Sequence, residues 1–172
     1  ETAATDRCGV DMANYLLRLG HQRMAFFAVP SRDVRWRMRL EGMRAACASA
    51  GFADAVELFC PPDIDTPQQL TDLLTSSHAY HVLDSLSRQL TNVLTPVSEE
   101  YESSLRPGIS AGSTVRRVTL PLLMLDQFRA AAARCGITAW VGANDEFALL
   151  AQSYARRHGI AYPHGVSVVG FD

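Results

Sequence analysis

Apolar residues recur along the chain with two alternating periods. From Asp6 to Leu19 the positions Val10, Ala13, Leu16 and Leu17 fall at helical spacing, and Gly20 stands where a left-handed residue ends a helix most easily. Arg23–Val29 is a short continuous apolar run closed by Pro30, which predicts a strand covered on both faces. Helical spacing returns over Trp36–Ala50, with Met38, Leu40, Met43, Ala46 and Cys47 as the inner face and Gly51 as the stop. Val56–Cys60 is a second strand, halted by Pro61-Pro62. A helix–strand–helix–strand order predicts a parallel sheet with helical crossovers.

The middle of the chain is less regular. Thr66–Leu70 reads as a helix start, Leu83–Leu94 as a helix, and Arg106-Pro107-Gly108 and Gly112-Ser113 as loop. Val115–Leu120 predicts a short strand before Pro121, a residue suited to a helix's first turn. The regular pattern then resumes: a helix over Pro121–Arg134 ending at Gly136, a strand over Ala139–Ala143, a helix over Phe147–His158 ending at Gly159, and a buried strand over Val166–Gly170. The prediction is an α/β fold, a parallel sheet with helices on both faces, interrupted by a segment at about 61–120. No internal repeat is present.

Two of these strands end in polar residues, at Asn144 and Asp172. In open parallel sheets ligands bind outside the carboxyl ends of the strands, so an amide and a carboxylate on that edge are hydrogen-bonding groups for a polar small molecule. A simpler reading stands beside it. Asparagine and aspartate are favoured helix N-caps, so Asn144-Asp145 could serve the helix that follows, with Asp145 the expected cap and Asn144 the expected ligand group.

Composition narrows the choice. The 172 residues are 48% hydrophobic and 20% charged, ordinary for a globular domain. A net charge of −2 gives no basic field for gripping a phosphate backbone, although all 16 basic residues are arginine. Cys8, Cys47, Cys60 and Cys135 form no C-x-x-C pair and suggest neither a zinc site nor a disulfide framework. His78 and His81 stand three apart with no carboxylate or thiol partner in the pattern and are read as surface histidines. No apolar run reaches the ~18 residues of a membrane span, and Glu1–Asp6 is not a signal peptide. With no initiator methionine, the chain is expected to be a piece of a longer one. No nucleophile elbow or phosphate-cradling glycine loop occurs, and no catalytic role is expected.

Taken in order, Leu16–Phe27 (LLRLGHQRMAFF), Arg35–Met43 (RWRMRLEGM), Asn144-Asp145-Glu146 and Val168–Asp172 (VVGFD) resemble the effector-sensing region of lactose-repressor/galactose-repressor (LacI/GalR) family regulators. The resemblance covers about residues 5–60 and 121–172 and leaves the middle out. It implies one flavodoxin-like lobe of a periplasmic-binding-protein-like (type I) fold, in which two lobes close over a ligand. On this resemblance the DNA-binding domain and the partner lobe are expected to lie outside this chain.

The resemblance also assigns residues. Arg39 matches the arginine that reaches into the cleft, rather than one more solvated member of the row Arg35, Arg37 and Arg44; Asn144 and Asp172 match the amide and carboxylate ligands. Asp33 and Trp36 are placed to line the cleft mouth, or else to cap and pack. The aromatic platform of the family falls at Cys60-Pro61-Pro62 and finds no counterpart. Leu149, Leu150 and Tyr154 lie in the region the family uses for dimer contacts, with ordinary core packing as the alternative. His21 in the Leu-Gly-His turn is structural. The implied protein is a cytoplasmic homodimer that senses a small-molecule effector, by default a sugar, with no cofactor or metal, and reaches operator DNA through a domain elsewhere. The rivals are a periplasmic sugar-binding protein of a transport system and an α/β enzyme of similar shape.

Overall fold

The computed structural model describes residues 2–30, 34–61 and 123–171. The chain divides into two compact units, Glu1–Asp63 with Asp126–Asp172, and Ile64–Leu125. The expected elements at Thr66–Leu70, Leu83–Leu94 and Val115–Leu120 and the pair His78 and His81 lie outside the described residues, as do Asp33 and Asp172.

The elements of the first unit are α1 (Thr2–Arg18), β1 (Met24–Phe27), α2 (Arg35–Ser49), β2 (Val56–Phe59), α3 (123–132, which enters the unit at Asp126), β3 (Ala139–Gly142), α4 (Asp145–Arg157) and β4 (Ser167–Val169). The strands form one parallel sheet in the order β2-β1-β3-β4. This is the flavodoxin-type winding: from β1 the chain moves outward to β2, then returns to build β3 and β4 on the other side.

The helix ends are chemically specified. Gly51 takes φ 87°, its N–H donates to Ala48 O, and Phe52 N–H donates to Cys47 O, so two carbonyls left over by α2 are satisfied. Gly20 closes α1 in the same way, with donations to Leu17 O and from His21 to Leu16 O.

Both faces of the sheet are covered. On one, Phe27 meets Phe59, Phe128 of α3 and Trp140, whose ring lies 6.2 Å from that of Tyr154 on α4. On the other, Phe26 meets Phe171, over which Arg39 of α2 lies, and α1 packs on α2. Central β1 is wholly buried, as its unbroken apolar run requires. Truncating a ring here, as in Phe27→Ala, costs about 3–5 kcal/mol through lost transfer and an unfilled cavity.

The inner faces differ from the periodic reading in detail. In α1 the buried positions are Gly9, Ala13 and Leu16, while Val10 and Leu17 are half-buried. In α2 Met38 is half-buried and Gly42 is buried. β4, expected to be buried, is half-buried throughout, because it stands at the edge of the described sheet.

Candidate functional site

Strand order reverses between β1 and β3, and a crevice outside the carboxyl ends of such a pair is where open α/β sheets hold ligands. The connections after these two strands lead into α2 and α4, so both helices begin at this edge. Ala143 N–H donates to Phe27 O at 2.8 Å, tying the end of β3 to the end of β1.

Arg39 sits at this edge. Its Nη1 donates to Ala143 O at 2.8 Å, and its guanidinium carbon lies 4.9 Å from the centroid of Phe171, a cation–π distance. Arg39 thus bridges α2 to the turn between β3 and α4, while its stem is half-buried. A fork of five donors can hold one carbonyl and still present further N–H groups.

Asn144 is the N-cap of α4. Its backbone is extended (φ −151°, ψ 179°), and its Oδ1 accepts from Phe147 N–H at 3.1 Å. The expected division of labour is therefore corrected: the cap is Asn144, and Asp145 is the first residue of the helix, with Glu146 in the same turn. Acidic residues there complement the positive end of the helix, as Arg156 and Arg157 complement the other end. Capping uses only the amide oxygen, so the Asn144 NH2 group remains a pair of donors for another acceptor.

Trp36 lies three residues before Arg39, on the same side of α2. Its indole Nε1 is buried and has no hydrogen-bond partner among the described residues, and the Arg37 guanidinium lies 5.2 Å from the ring. A buried donor with no acceptor is the atom that a ligand oxygen or a water would satisfy. On the far side of the edge Gly170 passes close to α4: a Cβ there would lie 2.6 Å from Asp145 Oδ1 and 2.9 Å from Ala148 Cβ.

The structure brings Arg39 to within one residue of Asn144, at Ala143, and leaves Leu149 exposed on α4 at 65%. Leu150 is half-buried. Tyr154 packs against Phe128, Trp140 and His158 of its own unit, and burial pushes its hydroxyl pKa up. His21 lies at the opposite end of the strands, where its Nδ1 pairs with Thr138 Oγ1 at 2.9 Å and burial lowers its pKa. None of the four cysteines forms a disulfide among the described residues, and burial raises the pKa of Cys47. Among the described residues no group of three or more His, Cys, Asp or Glu is placed to hold a metal, and no helix is long and apolar enough to cross a membrane. Sequence reasoning missed the Ala143 carbonyl, Phe171 and the close approaches at Gly9 and Gly170; a glycine within a helix, as at Gly9, was the one local signal.

An α/β lobe with polar side chains at the edge where its strand order reverses defines the class. Within that class the chain matches the periplasmic binding protein-like domain over residues 13–172, and it belongs to that family. It is similar in fold to the transcription regulator GntR from Chromobacterium violaceum, with 22% identity and a TM-score of 0.53, covering 96% of this chain and 41% of that one. A LacI family transcriptional regulator from Silicibacter pomeroyi shares 18% identity with a TM-score of 0.49, over 96% of this chain and 42% of the other. The chain thus spans less than half the length of either. No curated protein matches it.

Proposed function

We propose that the chain is the effector-sensing lobe of a LacI/GalR-type transcriptional regulator, coupling the binding of a small molecule, by default a sugar, to operator affinity. The observation that carries this reading is the bridge from Arg39 to the Ala143 carbonyl beside Asn144, at the switch point of a periplasmic-binding-protein-like fold. Arg39, Asn144 and Asp172 are the effector ligands: a guanidinium donor, an amide and a carboxylate acceptor suit a ring of hydroxyls that both donate and accept. Trp36 and Asp33 line the mouth.

In this reading a second lobe completes the site, the segment at about 61–120 is an insertion in the effector lobe, and DNA is read by a domain outside this chain. The protein acts in the cytoplasm, as a homodimer through the exposed side of α4, with Leu149 at the contact and Leu150 and Tyr154 beside it. It is a sensor and not an enzyme. An effector shifts operator affinity only as far as it prefers one lobe arrangement over the other. A thermal-shift screen of sugars and nucleosides on the full-length protein tests the proposal, since a ligand that binds only the folded state raises the melting temperature. A stabilising sugar that also changes operator affinity supports it; a protein that no member of either class stabilises contradicts it.

A further inference from the structure

Gly9 has no reason to be in α1 on helical grounds. A glycine inside a helix is about 1 kcal/mol less favourable than alanine, and Gly9 lies well within the 17 residues of α1. Its φ is not positive, so no turn or cap asks for it. What asks for it is α2. A Cβ on Gly9 would lie 2.9 Å from the carbonyl carbon of Arg39 and closer still to its oxygen, and 3.1 Å from its Cα. The neighbours it would strike are backbone atoms, which cannot swing aside as a side-chain tip can.

The residue met at this crossing is the one whose guanidinium spans to Ala143. Gly9, Ala13 and Leu16, spaced by four and three, form the buried stripe among the described side chains of α1, and at Gly9 the backbone of α1 lies close to that of α2. The main chain of Arg39 is thus pressed by α1, while the side chain of the same residue holds the β3–α4 turn at 2.8 Å. Protein N–H···O bonds lie at about 2.7–3.2 Å, so a displacement of α2 by about half an ångström takes this one outside the ordinary range.

We infer that Gly9 is a positioning residue for Arg39: the backbone contact between α1 and α2 sets the height from which the guanidinium reaches the Ala143 carbonyl, so a shift of α1 is transmitted to the crevice. The structural coupling stands on the geometry alone; its meaning for sensing rests on the function proposed above. For that reason its test uses no ligand.

In the full chain, Gly9→Ala is compared with Ala13→Gly by amide and guanidinium NMR. Ala13, fully buried on the same stripe, is a control that loosens α1 without a clash. Gly9→Ala is expected to shift the amide signals of Ala143, Asn144 and Phe147 and to speed exchange of the Arg39 guanidinium protons. Ala13→Gly is expected to lower the melting temperature while leaving those signals in place. A folded Gly9→Ala protein with unchanged Ala143, Asn144 and Arg39 signals overturns the inference, as does an equal response in the control. If Gly9→Ala does not fold, the unaltered protein decides. Nuclear Overhauser contacts from the Gly9 α-protons to Arg39 and Leu40, with a slowly exchanging Arg39 guanidinium, uphold the inference; the absence of either overturns it.

Discussion

Arg39 and Ala143 stand 104 residues apart in sequence and are joined by a 2.8 Å hydrogen bond from Nη1 to the carbonyl oxygen. The bond fastens the helix after β1 to the turn after β3. It is charge-assisted and half-buried, and replacing Arg39 by alanine is expected to cost about 1.5–3 kcal/mol of stability. Urea denaturation measures this directly. Arg39→Lys keeps the charge but not the planar fork, and is expected to recover less than half of the loss.

Asn144 serves two purposes that substitution can separate. Asn144→Ala removes the cap of α4 and is expected to destabilise by about 1 kcal/mol. Asn144→Asp caps equally well and places a negative charge at the positive end of the helix, so its melting temperature should match or exceed that of the unaltered protein. The aspartate lacks the NH2 donors, however. An Asn144→Asp protein that is stable yet deaf to effector is the expected combination, read by thermal melts with and without a ligand identified for the unaltered protein.

Trp36 tests whether a buried donor is held for a ligand. An unsatisfied buried N–H costs about 1–3 kcal/mol, so Trp36→Phe, which deletes the donor and keeps a ring, should leave the ligand-free protein as stable or more stable. A marked loss of stability in the ligand-free melt would instead assign the indole N–H a partner within the fold.

His21 gives a pH dependence of known sign. Burial holds its folded pKa below the ordinary 6.5. The unfolded chain therefore binds the proton more readily, and this contribution to stability is present above about pH 6.5 and is lost as pH falls through the folded-state pKa. His21→Gln, which can still hydrogen-bond Thr138, is expected to flatten the acid side of the stability profile between pH 7 and 5.

Much of the fold was legible because its signals are local. The unbroken apolar run at Met24–Val29 identifies a strand covered on both faces, and Gly20 and Gly51 stop their helices within a residue of the expected ends. The half-burial of β4 was not legible, because Val168 and Val169 read alike in a central and an edge strand and only the pairing order separates them. At the site, Asn144 could be placed on the sheet edge from the strand before it, but whether Asn144 or Asp145 caps α4 depends on which backbone is extended. The family resemblance singled out Arg39 and could not supply its anchor: Ala143 offers a carbonyl, which every residue has, and no pattern in sequence connects it with α2.

The central claim, that the crevice between β1 and β3 binds the effector through Arg39 and Asn144, is tested most directly by isothermal titration calorimetry of the full-length protein with a ligand found by thermal shift. Binding to the unaltered protein is expected to weaken at least tenfold in both Arg39→Ala and Asn144→Asp, about 1.4 kcal/mol or more in each. Unchanged affinity in both folded variants would place the effector elsewhere and contradict the account.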